Sequence, residues 1–345
     1  MQTHLCRLFR ASACALVAFA AALAPASAQQ TKNVRFALDW AFLSYQAPFT
    51  IPIDDGTFTK LGLNVTVDRG VGSADAVAKV AGGAYDLGHA DLYTVARFNA
   101  QNPDRKLIAV MLTHDKSAVA VTVLKKSGIT APAQLAGRKL AAPPGDSSRQ
   151  VFPLLASANG LDTSKVNWID VTADLRETLL VRGDADGISG QITTVVPNLQ
   201  ALGVKNDDFT VMAYADHGVD LYGHVVITRP EFAEKNPEVV RSYLTGLAHG
   251  FRVMLNDPKA AVASIKKRDA FLKDDLELSR LQLANETTFF TQNVMQNGLS
   301  SPDKAKLGRS LQLVGQIFGF KPPEVEEIYT DKYLPPREAL QMKKN

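Results

Sequence analysis

The chain has 345 residues, with 38 lysines plus arginines against 35 acids, 46% hydrophobic residues and 21% charged ones. That balance excludes a disordered chain, which is poorer in apolar residues, and a polytopic membrane protein, which is richer. The length suits about two domains, and a net charge of only +3 with no basic block speaks against nucleic acid as a partner.

Residues 1–28 read as a secretory signal. Arg7 and Arg10 give a positive start, Ala11 to Ala24 is an uncharged apolar run, Pro25 breaks it, and Ala26-Ser27-Ala28 is a small-x-small cleavage site. The apolar run is shorter than the roughly 20 residues of a membrane span. Cleavage after Ala28 leaves 317 residues with a net charge of +1 and predicts a periplasmic protein. Both cysteines, Cys6 and Cys14, fall in this segment. The mature chain therefore has no disulfide, thiolate metal site or cysteine nucleophile.

Strands and helices then alternate, which predicts an α/β architecture with parallel sheets. The expected strands are Val34 to Leu38, Leu63 to Val67, Tyr85 to Gly88, Leu107 to Leu112 and Ala118 to Leu124. Helices are expected near Tyr45 to Ile53, over Ala74 to Ala81 behind a Ser73 cap, and over Leu92 to Asn99. The same grammar repeats. Strands are expected at Lys139 to Ala142, Val166 to Val171, Gly187 to Ser189, Val211 to Ala213 and Gly223 to Thr228. Helices are expected from Ser147 or Ser148 to Asn159, over Asp174 to Val181 and over Thr193 to Ala201. The remainder reads as helices, opened by Asn236-Pro237 and Asp257-Pro258. No long Gly/Ser linker divides the two halves. The expected arrangement is two lobes, 29–118 plus 224–345 and 119–223, joined by strands that cross directly between them, with a cleft at the hinge.

Motifs for catalysis are missing: no G-x-S-x-G elbow, P-loop or complete G-x-G-x-x-G occurs. The histidines His89, His114, His217, His224 and His249 form no pair at metal-ligand spacing, so neither metal nor cofactor is expected. Candidate ligand contacts come instead from strand ends, since open α/β sheets bind ligands outside the carboxyl ends of their strands. Asp39 and Trp40 end the first strand. An indole there stacks on a planar ring and a carboxylate accepts its N–H groups, although a core tryptophan beside a capping aspartate is the plain alternative. Tyr45 and Gln46 follow closely. Ser73, Ser147 and Ser148 stand at helix starts, where free N–H groups hold polar or anionic groups, or are ordinary caps. His89 and Asp91 follow the third strand, with Asp91 otherwise a cap. His114 is expected near the hinge, Asp186 beside the Gly187 strand and Tyr222 at the return crossing. Arg149 suits either an anion clamp or a solvent-facing role.

Several segments resemble a known family: VRFALDW (34–40), GSADAVAKVAGGAYDLGHAD (72–91), SGITAPAQLAGRKLAAPPGDSS (127–148) and GHVVITRPEFAEKNPEVVRSYLTGLAHGF (223–251), with looser echoes in NDPKAAV (256–262) and DKYLPP (331–336). They are similar to periplasmic solute-binding proteins of ABC importers, in the NMT1/THI5-like (SsuA/THI5-like) family. The resemblance implies a type II periplasmic-binding-protein fold, two α/β lobes joined by two crossing strands. It implies a monomer that closes over a small-molecule ligand and hands it to an ABC importer permease, with no nucleic-acid partner. LDW at 38–40 looks more like the members that bind pyrimidine precursors than like those that bind sulfonates, which assigns ring stacking to Trp40 and hydrogen-bond acceptance to Asp39. The enzymatic branch, which makes pyrimidine precursors, carries a cysteine-rich iron motif that a thiol-free mature chain lacks. That branch remains the alternative from another class.

Overall fold

The structure is a computed structural model and describes residues 31–344. The signal segment and its cleavage site lie outside the described residues.

Among the described residues ten strands build two mixed sheets. β1 (Lys32–Ala37), β2 (Leu63–Asp68), β3 (Leu87–Asp91) and β4 (Ile108–Leu112) belong to the first, and β5 (Val119–Leu124), β6 (Lys139–Ala142), β7 (Asn167–Asp170), β8 (Gly187–Gln191) and β9 (Phe209–Ala213) to the second. β10 (His224–Thr228) returns to the first. The strand orders are β2-β1-β3-β10-β4 and β7-β6-β8-β5-β9. In each sheet three neighbouring strands run parallel, and the strand arriving from the other side, β10 or β5, inserts antiparallel. β10 and β3 are buried at every residue, as strands covered on both faces must be. At the edge, β2 alternates between buried and exposed over its first four positions.

The helices that matter here are α1 (Ser73–Ala81), α2 (Leu92–Gln101), α3 (Phe152–Ala158), α4 (Arg176–Arg182), α5 (Ile192–Ala201), α6 (Pro237–Asn256), α7 (Pro258–Lys266), α8 (Asp274–Ala284) and α9 (Lys304–Phe318). A proline opens α6 and α7 at the first helical position, where its missing N–H costs nothing. The apolar face of α6 covers the first sheet through stacked rings, Phe36 on Phe49 at 5.0 Å and on Tyr243 at 5.1 Å. The second sheet buries Leu180, Ile188 and Leu199 on one side. On its other face the apolar cluster does not stop at the lobe: Val121, Phe152 and Leu155 join Val80, Tyr93 and Ile227 in one continuous core.

Two crossings connect the sheets, after β4 and before β10, and they hydrogen-bond to each other. Gly223 N donates to His114 O (2.9 Å), and Ser117 N donates to Leu221 O (3.0 Å). The mixed α/β fold with two sheet-centred lobes and crossing strands is thus the one the sequence predicts.

Several local expectations differ. β3 runs two residues later than Tyr85 to Gly88, because Gly88 does not end the strand: a Cβ there would lie 2.7 Å from Val80 Cγ2, so glycine lets α1 lie close against the strand. The helix expected from Ser147 to Asn159 is broken at Val151, two residues before the Pro153 ring. Ser73 is not the cap of α1. Gly72 holds that position, and the Ser73 hydroxyl accepts instead from Asp91 N (2.9 Å). Likewise Asp146, not a serine, caps the short helix Ser147–Gln150 by accepting from Ser148 N (2.8 Å).

Candidate functional site

The carboxyl end of β1 runs into Asp39 and Trp40, and the loop after it returns through a 3₁₀ turn, Ser44–Phe49, that brings Tyr45 back over them. From the second lobe, the β6–helix turn presents Asp146 and Ser147, the end of β8 presents Gln191, the start of α5 presents Thr194, and α4 presents Arg176. Together with Gly72 and Ser73 these residues enclose a tightly closed gap of about 10 Å³ between the two lobes. The lobes touch around its rim. Ala74 N donates to Gly145 O at 3.4 Å, and the hydroxyls of Tyr45 and Thr194 are 3.2 Å apart.

Asp39 is the electrostatic centre on the first lobe. Its Oδ1 accepts from Gln46 Nε2 (3.1 Å) and lies 2.7 Å from His89 Nδ1, while Oδ2 lies 3.1 Å from His224 Nε2. Burial alone would raise its pKa, but His224 and His89 outweigh that and hold it well below the usual carboxylate range. For His224 burial works downward and the Asp39 carboxylate overrides it, so the imidazole titrates above its ordinary value. Burial pushes His89 down despite Asp39, and drives His114 down further. The three rings lie tilted against one another behind Asp39, their centroids 4.8–5.1 Å apart.

On the second lobe Arg176, the only Lys or Arg among the described residues lining the gap, is buried and makes four hydrogen bonds. Nε and Nη2 donate to Glu177 Oε1 (3.2 and 2.7 Å), and Nη1 donates to Asp146 Oδ2 (3.2 Å) and Ser189 O (3.3 Å). Burial lowers its pKa, and the two carboxylates raise it by more. Its guanidinium carbon stands 5.6 Å from the Trp40 ring centroid. Gln191 reaches across to His224 (3.3 Å), and its Oε1 is buried without a hydrogen-bond partner.

The structure brings Asp39, Trp40, Tyr45, Ser73 and Ser147 to the gap. It places the other candidates elsewhere. His89 stands behind Asp39, its Nε2 2.9 Å from Thr113 Oγ1. Asp91 caps α2 by accepting from Thr94 N and Oγ1, which turns its Oδ1 away from the gap. His114 is walled in by His89, His224 and Phe289. Ser148 gives its hydroxyl proton to Asp146. Asp186 sits at the wrong end of its strand: it precedes β8, and its Oδ2 accepts from Lys139 N at the edge remote from Gln191. Tyr222 faces α9, where its hydroxyl accepts from Asp303 N (2.8 Å). Arg149 lies on the lobe surface, bonded to Ala142 O and Asp170 and stacked on Trp168. Asp146, Arg176, Gln191 and Thr194 were missed. For Gln191 and Thr194 the signal existed, because they follow a strand end as His89 and Asp91 do.

Among the described residues no helix is long and apolar enough to cross a membrane, and no group of three or more His, Cys, Asp or Glu is placed to hold a metal ion.

Two mixed sheets, a double crossing and a polar gap closed between facing strand ends define a two-lobed α/β protein of the type II periplasmic-binding-protein architecture. The chain belongs to the NMT1/THI5 like family, which it matches over residues 44–261. It is 24% identical over 232 residues to the formylaminopyrimidine-binding protein of Halalkalibacterium halodurans, covering 67% of this chain and 69% of that one. Its fold is similar to that of the alkanesulfonate-binding protein SsuA from Xanthomonas axonopodis pv. citri bound to MOPS (TM-score 0.68, 14% identity, 87% and 99% of the two chains). It is also similar to the nitrate-binding protein NrtA from Synechocystis PCC 6803 (TM-score 0.67, 12% identity, 90% and 88%).

Proposed function

We propose that the protein works outside the cytoplasm, closes its lobes over a small, flat, nitrogen-rich heterocycle of the aminopyrimidine class, and delivers it to an ABC importer. The lack of any cysteine beyond Cys14 supports the binding-protein role over that of a pyrimidine-precursor synthase, whose branch carries a cysteine-rich iron motif. The observation that carries the choice of solute is the make-up of the gap. An indole, two carboxylates (Asp39 and Asp146) and the unpaired Gln191 Oε1 face it, while the guanidinium of Arg176 is already paired with two acids. A sulfonate or nitrate would meet acceptors and negative charge; an aminopyrimidine brings an N–H donor for the unpaired Gln191 Oε1 and a ring face for Trp40. The name of the Halalkalibacterium relative agrees with this chemistry. Closure follows by population shift, because solute that touches both lobes binds only the closed form. We assign the moving bodies as 29–118 plus 224–345 and 119–223.

Calorimetric titration with 4-aminopyrimidine, unsubstituted pyrimidine, an alkanesulfonate and nitrate tests the reading. Binding of the amino heterocycle is expected, with Trp40→Ala weakening it by about tenfold or more, the worth of a stacked, buried ring, and leaving cooperative unfolding intact. Binding of sulfonate or nitrate in preference to every pyrimidine overturns it.

A further inference from the structure

The polar contacts between the lobes are not confined to the rim of the gap. A second set, beside it, is made by Arg280 on α8, a helix whose Leu281 and Ala284 belong to the first lobe's core. Arg280 is buried, and its guanidinium crosses to α5 of the second lobe. Nη1 donates to the carbonyls of Thr193 (3.1 Å) and Thr194 (3.2 Å), and Nη2 donates to Asn198 Oδ1 (2.8 Å).

Carbonyls inside a helix are ordinarily occupied. The donor for Thr193 O would be the N–H of residue 197, four positions on, but residue 197 is a proline and has none. Pro197 therefore strips one helical bond from α5 and leaves a buried acceptor that needs a donor from outside. Arg280 is that donor. Its own position is fixed from the first lobe: Nε donates to Glu277 Oε1 (3.0 Å), and Glu277 in turn takes Ser44 N on Oε2 (2.7 Å), with Ser44 Oγ donating to Glu277 O (2.7 Å). Ser44 precedes Tyr45, and Tyr45 meets Thr194 at the gap. The chain of contacts thus closes on itself, from Tyr45 through Ser44, Glu277 and Arg280 to Thr194.

We propose that Arg280 is a positioning residue for solute capture: the acceptor that Pro197 exposes on α5 is filled by Arg280 only when the lobes are closed, so the pair sets the closed population and the residence time of the solute. It does not itself line the gap and acts through Thr194 and Tyr45, which do. The proposal rests on the two-lobe closure described above but not on the identity of the solute.

The test uses solute-free small-angle scattering together with stopped-flow dissociation of 4-aminopyrimidine. Arg280→Ala should raise the radius of gyration of the solute-free protein and speed dissociation about tenfold or more. Because Arg280→Ala also leaves Glu277 buried without its cation, two further variants keep the charges in place. Arg280→Lys should act in the same direction with less effect on melting. Pro197→Ala gives Thr193 O a helical donor that competes with Arg280, and should speed dissociation a few-fold while α5 becomes no less stable. Failure of the wild type to bind 4-aminopyrimidine would refute the solute assignment and leave the scattering comparison to decide the latch. An unchanged radius of gyration in all three variants overturns it, as does an unchanged dissociation rate.

Discussion

Two glycines face each other across the closed gap, and only one of them tolerates a methyl group. Gly72, on the first lobe, has φ of +143°, and a Cβ there would stand 2.3 Å from the carbonyl oxygen of Gly145 on the second. Gly145 itself could carry a Cβ with its nearest neighbour, the Ala74 methyl, at 3.7 Å, an ordinary contact. In Gly72→Ala the lobes must part by about 0.7 Å at this point to reach even a 3.0 Å separation. That stretches the Ala74–Gly145 hydrogen bond, already 3.4 Å, and the 3.2 Å Tyr45–Thr194 contact beyond hydrogen-bonding range. At about 1 kcal/mol each the closed form loses about 2 kcal/mol. If solute binds only that form, affinity falls roughly 30-fold. The φ strain, about 1–3 kcal/mol, weighs on open and closed forms alike and is read separately in urea unfolding without solute. Calorimetric affinities of Gly72→Ala and Gly145→Ala supply the comparison. Wild-type affinity in Gly72→Ala, or an equal loss in Gly145→Ala, would refute the steric argument.

The buried histidines predict an acid sensitivity. His114 titrates well below its ordinary value when folded, so below pH about 6.5 the unfolded chain takes up a proton that the folded one refuses, and stability falls by up to about 1.4 kcal/mol per pH unit. His89 acts in the same direction and His224, with its raised pKa, in the opposite one, its contribution being lost as pH rises. Urea unfolding at pH 7.5 and 5.5 should show a smaller difference in His114→Phe than in the wild type; an equal difference refutes the assignment. Arg176→Met leaves Asp146 and Glu177 buried without their cation and should cost about 3–5 kcal/mol. Adding Glu177→Gln should recover part of that loss, and thermal unfolding reads both; no recovery would place the cost elsewhere.

The alternation of strands and helices was legible because short β-branched runs and glycine turns mark it directly: Lys139–Ala142 was placed to the residue, and the double crossing followed from two strands without a linker. Asp39 and Trp40 were legible as gap residues because they end the first strand. Asp186 was misplaced by the same rule taken from the wrong side, since it precedes β8 and Gln191 is the residue at its carboxyl end. Arg176 gave no local sign. It sits in a helix like any surface arginine, and the acid that holds it across the turn, Asp146, is 30 residues away. Tyr222 failed because a crossing strand has two faces, and its ring takes the one toward α9.

The strand order has a consequence for how the chain is made. β3 at residue 91 and β4 at residue 112 flank a strand that does not exist until residue 228 has been synthesised. At roughly 5–20 residues per second, that interval lasts on the order of ten seconds. Throughout it the first sheet lacks its middle, and β3 offers a bare edge. Even then the outer side of β4 waits for Tyr329, which bridges to Ala109 close to the end of the chain. The first lobe is therefore the last to close although its residues are the first to appear.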